Sequence, residues 1–262
     1  MEMALTDFLV QQVDVFLLIF MRVSGIFVVA PIFGNESVPI TARIGAVTMI
    51  SFVLFPMVSE TALVHADHWL LFVYYGMVEL FIGISIGFVG AVYFSMIILA
   101  GTVMDRQTGF MRANAFDPLS EGEVPILGSF YNILFVLLFL GINGHHMFIR
   151  ALFDSYETIP IGYTLHLTDD LIRVLIIAFR DIMILAFILC TPIAVTSLIT
   201  NVLLGIFAKT MPQINVFIVG MPLRIITGLL TIWVTLHAIL PFSEHFFDRM
   251  FRAIYQMMRT FA

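Results

Sequence analysis

One segment of the chain is long and almost free of charge. Residues 69–103 form a run of 35 residues in which Glu79 is the single charged side chain. An α-helix rises about 1.5 Å per residue and crosses the hydrocarbon core of a membrane in about 20 residues, so this run exceeds one upright span. The pattern predicts a membrane helix that is tilted, broken or extended beyond the bilayer.

Other parts of the chain are also apolar enough to be membrane helices. Lipid offers the backbone no hydrogen-bond partner, so a spanning segment is either helical or part of a closed barrel, and strand-like alternation is absent here. We therefore expect an all-α, polytopic membrane protein. The expected segments are 15–33, 44–58, 69–103, 124–149, 182–208 and 225–243.

Composition excludes several other classes of protein. Hydrophobic residues make up 61% of the chain and charged residues 11%, whereas a soluble domain has about a quarter charged residues. This apolarity leads us to expect membrane lipid around the chain. The net charge of −6 indicates neither a nucleic-acid partner nor a polybasic membrane anchor. The single cysteine, Cys190, cannot form an internal disulfide. No cleavable leader pattern precedes the first apolar segment, which we expect to be retained.

The charges between the apolar segments conflict over orientation. Connections 59–68 and 154–170 contain acidic residues and neither Lys nor Arg, which is typical of the non-cytoplasmic side. Six full crossings would then put the C-terminus outside, yet Arg249, Arg252 and Arg259 favour a cytoplasmic C-terminus. Either one segment does not cross, or the helices pack in an assembly in which lipid is not their main solvent.

Charged residues interrupt or flank the apolar segments, where an unpaired charge is costly. They include Arg22, Glu79, the adjacent Arg180 and Asp181, Lys209 and Arg224. Such residues either line a pathway for an ion or a substrate, or form ion pairs between helices, and a charge near a helix end also reaches the membrane surface. For Arg22 and Glu79 we favour a structural role in burial and assembly.

Small residues in the long segment predict close helix packing. Gly83, Gly87 and Ala91 follow one another at a spacing of four, which places them on one face of a helix. A ridge of this kind lets a second helix backbone approach closely. We expect the chain to need partner helices for stability.

Sites for chemistry are not evident in the sequence. The run Asn143-Gly144-His145-His146 suggests a metal, but adjacent histidines on a helix point in different directions and no other ligands complete the set. Motifs of hydrolases, metalloproteases and phosphate-binding loops are absent. We expect no catalytic residues, no metal and no cofactor, and therefore not an enzyme.

A polar segment that begins at Asp105 contains large apolar side chains among small residues. Gly109, Phe110, Met111 and Phe116 lie in this predicted loop, residues 105–123, and Gly109 is a plausible hinge. Apolar side chains at a constriction exclude water and ions, and Met and Phe repack easily around a passing chain. The alternative is a surface loop whose aromatic residues pack on helix ends, and physics alone does not choose between the two.

Several short motifs occur in order along residues 15–225. They are Arg22-Val23-Ser24-Gly25, Pro31, Phe33, Val38-Pro39, Arg43, Ala100-Gly101, Asp105, Gly109-Phe110, Asp117-Pro118, Asn143-Gly144-His145-His146, Lys209, Pro212-Gln213, Asn215, Phe217, Gly220 and Pro222. Each motif is weak alone, but in this order and at this spacing the set resembles the FliR family of export-gate membrane proteins from the flagellar type III secretion system. Two departures are Lys209, where arginine is common, and the acidic run 120–123.

The resemblance implies a subunit of a channel through which unfolded flagellar proteins cross the bacterial inner membrane, within the flagellar basal body. It implies long kinked helical hairpins, with a FliP-like region at 1–165 and a FliQ-like hairpin with a basic tail at 166–262. The implied partners are FliP-type and FliQ-type membrane subunits, a FlhB-type switch protein and the unfolded export substrates. The segment from Gly109 to Phe116 is implied to plug the channel.

Two other functions stay open. A secondary transporter of a small solute or ion would also have broken helices and isolated charges, but it would predict internal repeats, and none is evident. A scaffold that lines no pathway is the second. Changes in the 105–123 segment distinguish them, since a gate would leak, a transporter would lose solute transport and a scaffold would be unaffected.

Overall fold

The computed structural model describes residues 2–31, 33–34, 38–59, 69–111, 125–162, 169–211, 213 and 215–261. Every regular element in these ranges is α-helical, which confirms the predicted all-α fold. The helices are α1 (Glu2–Val29), α2 (Ile40–Val58), α3 (Trp69–Thr108), α4 (Ile126–Gly141), α5 (Gly144–Thr158), α6 (Asp169–Thr210) and α7 (Val216–Phe261).

The helices have the length and apolarity of membrane spans. Within the described ranges, α1, α2, α3, α6 and α7 each contain a stretch long and apolar enough to cross a membrane. The pair α4 and α5, which a two-residue break separates, counts as a sixth span if it is taken as one. Five or six candidate spans confirm the predicted polytopic class.

None of the six predicted segments has the boundaries of a helix in the structure, and one of them is broken. Segment 124–149 is not one helix, because α4 ends at Gly141 and Asn143 has a φ of 58°, a left-handed conformation that asparagine adopts more readily than most residues. Pro192 lies inside α6, which runs without a break from Asp169 to Thr210. A proline removes one backbone donor, and a membrane helix tolerates this where neighbouring groups satisfy the freed carbonyl.

Packing divides the chain into two compact units. Unit 1 contains Met1–Val92, Asn143–Ala178 and Asp248–Ala262, and unit 2 contains Tyr93–Ile142 and Phe179–Phe247. The division predicted between 165 and 166 rests on likeness to two kinds of subunit and not on packing. It stays a prediction.

In unit 1 the end of α7 is part of the core. The ring of Phe251 lies 6.0 Å from that of Phe148 on α5, and the ring of Phe261 lies 6.0 Å from that of Phe81 on α3. Phe261 is buried. The last residues are therefore a packed helix with Arg252 and Arg259 on its exposed side.

The core of unit 2 is a cluster of aromatic rings from α3, α4 and α7. Phe135 on α4 packs edge-on against Phe246 on α7, with ring centroids 5.3 Å apart, and Phe139 meets Phe247 at the same separation. Phe94 on α3 contacts Phe139, Phe246 and Phe247. Edge-to-face contacts of this kind add to the gain from burying the rings, so this cluster fixes how the three helices meet.

Candidate functional sites: a buried charge network and the stem of the predicted plug

The central polar feature of unit 1 is an ion pair between α1 and α3. Arg22 Nε donates to Glu79 Oε2 at 2.5 Å, and both side chains are almost completely buried. The two residues that the sequence singled out for their charge are thus brought together, 57 positions apart in the chain. Each supplies the counter-charge that the other needs away from water.

Arg22 also caps the end of α5. Its Nη1 donates to the carbonyl oxygen of Ser155 at 2.9 Å, and its Nη2 donates to the carbonyl oxygen of Ile159 at 2.9 Å. The carbonyl of Ser155 also accepts the backbone N–H of Ile159. Carbonyls at the end of a helix carry partial negative charge, so the guanidinium is a favourable further donor there. One side chain therefore ties together α1, α3 and α5.

Tyr156 completes this network. The Arg22 guanidinium carbon lies 4.1 Å from the centre of the Tyr156 ring, a cation–π contact, and the Tyr156 hydroxyl donates to the carbonyl of Ile19 on α1 at 3.2 Å. Sequence reasoning missed Tyr156 and Ser155, since neither is unusual in the sequence. The full set of partners around Arg22 favours an interhelical ion pair over a pathway lined by these two charges.

The predicted small-residue ridge packs against α1 of the same chain. A Cβ on Gly83 would overlap the backbone of Arg22, and one on Gly87 would lie 3.0 Å from the carbonyl oxygen of Ile26. Gly25 on α1 is the counterpart, because a Cβ there would lie 2.7 Å from the carbonyl oxygen of Leu80. Ala91, the third ridge residue, is half-buried. The ridge thus brings α1 and α3 close enough for Arg22 to reach Glu79.

Lys209 lies near the C-terminal end of α6 and Arg224 lies near the N-terminal end of α7, on either side of the connection between the two helices. Lys209 is exposed in the last turn of α6, and Arg224 is half-buried, with no hydrogen-bond partner for its Nε among the described residues. The two helices touch where Thr200 Oγ1 donates to Thr227 Oγ1 at 3.4 Å. The structure does not join Lys209 or Arg224 to the Arg22–Glu79 pair by any described contact.

The beginning of the predicted plug is described, and its remainder is not. Helix α3 continues through Asp105 to Thr108, so the segment predicted as a loop from Asp105 starts one turn later. Gly109 follows with a φ of 86°, a conformation that glycine adopts without strain. Phe110 and Met111 are half-buried, and Phe116 lies outside the described residues.

Asp105 joins the end of α3 to the beginning of α4. Its carboxylate accepts hydrogen bonds from the backbone N–H of Leu127, at 3.1 Å to each oxygen, and from that of Gly128, at 3.4 Å. Only 1% of Asp105 is exposed. The apolar run before Asp105 is compatible with a helix that continues through this residue. The sequence does not indicate that the hydrogen-bond partner of Asp105 is Leu127, 22 residues later.

The end of α3 is also held by α6. Ser197 Oγ on α6 donates to the carbonyl oxygen of Gln107 at 2.9 Å. On α7, a Cβ added at Gly228 would overlap the methyl group of Thr108, so α7 also lies directly against this turn. Within unit 2, therefore, three helices fix the position from which the predicted plug departs.

A metal centre is not supported by the described residues. The His145 and His146 rings stack with centroids 4.1 Å apart at the start of α5. No group of three or more His, Cys, Asp or Glu side chains among the described residues could hold a metal ion. Adjacent histidines without further ligands do not make a coordination shell.

Comparison with known proteins extends over nearly the whole chain. Residues 13–250 match the family model described as bacterial export proteins, family 1. The flagellar biosynthetic protein FliR of Bacillus subtilis is 30% identical over 227 residues, 86% of each chain. FliR of Escherichia coli is 30% identical over 234 residues, 89% of this chain and 88% of its own. FliR of Pectobacterium carotovorum is 30% identical over 246 residues, 93% and 92% of the two chains. The chain is a member of the FliR family of bacterial export proteins.

Proposed function

We propose that the chain is a subunit of the flagellar protein export apparatus, embedded in the bacterial inner membrane. The observation that carries this proposal is family membership over residues 13–250, together with relatives whose names all refer to flagellar biosynthesis. The apolar helices α1, α2, α3, α6 and α7 supply the membrane-embedded body that such a subunit needs. A secondary transporter is not favoured.

In this proposal the chain assembles with FliP-type and FliQ-type subunits and a FlhB-type protein into a channel for unfolded flagellar proteins. Support comes from the outer faces of α6 and α7, where large apolar side chains are exposed alongside the polar Asn201. Lipid does not satisfy an exposed amide, but a neighbouring helix does. The predicted FliP-like part, 1–165, and FliQ-like part, 166–262, belong to the same proposal.

The segment that begins at Gly109 is the plug of this channel. A pore wide enough for an unfolded chain would dissipate the ion gradient when idle, and each charge that crosses 100 mV releases about 2.3 kcal/mol. Phe110 and Met111 are apolar and adaptable, so they exclude water without favouring one exported sequence. Their departure from a fixed helix end, and the φ of Gly109, suit a segment that turns into a channel.

A pair of substitutions tests the plug. Phe110→Ser with Met111→Ser should leave assembly and export intact but raise the uptake of small solutes by the cell. The matched control is Met49→Ser with Phe52→Ser, the same chemical change on the exposed face of α2. An assembled Phe110/Met111 variant that stays as tight as the control would favour surface packing and a scaffold role.

Deletion of the whole protein tests the export function separately. Cells that lack it should synthesise flagellar rod, hook and filament proteins without secreting them. Normal secretion in the deletion strain would refute the proposal.

The proposal also includes the orientation of the chain. Arg249, Arg252 and Arg259 favour a C-terminus on the cytoplasmic side of the membrane.

A further inference from the structure

Asp105 is a buried carboxylate to which neither the charge network nor the proposed plug assigns a role. It lies in the last turn of α3, next to residues that α6 and α7 hold in place. Its two oxygens accept three backbone hydrogen bonds, all from the first turn of α4. A buried charge is costly without such partners, so its position calls for an explanation.

The first turn of α4 needs the acceptor that Asp105 provides. The first N–H groups of a helix have no carbonyl partner within the helix, and an Asp, Asn, Ser or Thr side chain normally fills that need from the position before the helix. Here Pro125 occupies that position and provides no side-chain hydrogen bond. Asp105 takes over the role from another helix.

A glycine brings the helices within reach. Gly101 lies one turn before Asp105 on α3, and a Cβ there would overlap the Cα of Gly128. The absence of a side chain at Gly101 therefore lets α3 and α4 approach this closely. The contact and the hydrogen bonds therefore fix the same place: the end of α3 against the beginning of α4.

We propose that Asp105 is the positioning residue for the plug. It joins the two ends of the connection that starts with Gly109, so that Phe110 and Met111 leave α3 from one fixed point while the chain returns at Pro125. The proposal rests on the proposed function, since it assigns Asp105 a part in keeping the channel tight. The hydrogen bonds themselves do not depend on that function.

Substitutions that keep or remove the acceptor test the proposal. Asp105→Asn keeps a side-chain oxygen and is as good a helix cap as aspartate, whereas Asp105→Ala leaves the α4 N–H groups unpaired. In cells that contain the assembled complex, Asp105→Ala should raise the leak of ions or small solutes on the order of tenfold, in line with the usual effect of losing a cap. Asp105→Asn should stay close to the wild type. Asp170→Asn, which neutralises an exposed carboxylate on α6, is the control.

Amide hydrogen exchange in the purified complex gives a second readout. Peptides covering the start of α4 should exchange faster in Asp105→Ala than in Asp105→Asn, with the rest of α4 unchanged. The exchange rates report on the hydrogen bonds of α4 even if the Phe110/Met111 variant does not leak. A wrong proposal for the plug can therefore be distinguished from a wrong assignment of the Asp105 contact.

Three results would overturn the inference. The first is an assembled Asp105→Ala complex that is as tight as the control and shows no faster exchange. The second is an Asp105→Asn variant that behaves like Asp105→Ala, because the acceptor would then not be the property that matters. The third is loss of assembly in both variants. Loss of assembly in Asp105→Ala with a tight Asp105→Asn complex supports it, because the asparagine restores the acceptor.

Discussion

The hydroxyl of Tyr255 on α7 donates a hydrogen bond of 2.6 Å to a carboxylate oxygen of Asp154 on α5. Tyr255 is in the arginine-rich last part of the chain, and Asp154 is the first residue of an acidic connection without Lys or Arg. Both residues belong to unit 1, so Tyr255 and Asp154 lie side by side in one packed body. A topology that places Asp154 on one side of the membrane and Tyr255 on the other is incompatible with this contact.

We therefore predict that the end of α7 and the connection after α5 face the same compartment. A reporter that is active on one side of the membrane, fused after Ala262 or inserted within 163–168, should give the same result at both positions. Opposite results would mean that the Tyr255–Asp154 contact does not form in the membrane. The fusion after Ala262 also tests whether the C-terminus is cytoplasmic. That assignment follows the arginines, because Lys and Arg influence membrane orientation more than acidic residues do.

Sequence reasoning reached some of these features and missed others for identifiable reasons. The charge of Arg22 within an apolar segment predicts that a partner exists, but which residue 57 or 133 positions away supplies it depends on helix register, which one sequence does not give. The spacing of Gly83 and Gly87 predicts close packing without naming α1 as the neighbour. The sequence predicts a loop from Asp105, because polar residues usually end a span. In the structure α3 continues through Asp105, since the backbone N–H groups at the start of α4 donate hydrogen bonds to its carboxylate.

The geometry around Arg22 predicts that lysine cannot replace it. An Arg22→Lys variant keeps the positive charge but loses the planar fork that reaches Glu79, Ser155 and Ile159 together. The carbonyl oxygens of Ser155 and Ile159 would then lose the guanidinium as a donor, and Ser155 would keep only the N–H of Ile159. We expect a loss of about 2 kcal/mol or more in unfolding free energy, visible as a lower melting temperature of the purified complex. Arg173→Lys, an exposed arginine on α6, is the control and should change nothing.

Arg22 and Glu79 should also be energetically coupled. Removing either partner alone leaves a buried charge uncompensated, at a cost of about 3 kcal/mol or more, whereas removing both eliminates the charge. The double variant Arg22→Met with Glu79→Leu should therefore be less damaging than the sum of the two single changes. Additive losses in melting temperature would show that the two side chains do not act as a pair.

A glycine-to-alanine substitution should have opposite effects on stability at the crossing of α1 and α3 and at an open position on α2. Gly83→Ala should destabilise the chain, because the added methyl group overlaps the backbone of Arg22 and pushes the helices apart. Gly45→Ala on α2 meets nothing within 4 Å and should be neutral or stabilising, by up to about 1 kcal/mol, since alanine favours a helix. Equal effects of the two changes on the melting temperature would contradict close packing at Gly83.

The burial of the last turn of α7 predicts that it contributes to stability. Phe261 is 1% exposed and packs edge-on against Phe81 of α3, so removing its ring leaves a cavity in the core of unit 1. Losses for a buried phenylalanine are about 3–5 kcal/mol, and Phe261→Ala should lower the melting temperature and the yield of assembled complex accordingly. Arg259→Ala, on the exposed side of the same turn, changes charge without removing buried surface and should leave both quantities unchanged. If Phe261→Ala behaved like Arg259→Ala, the end of α7 would be a peripheral segment, and the same-compartment prediction for Asp154 and Tyr255 would lose its structural basis.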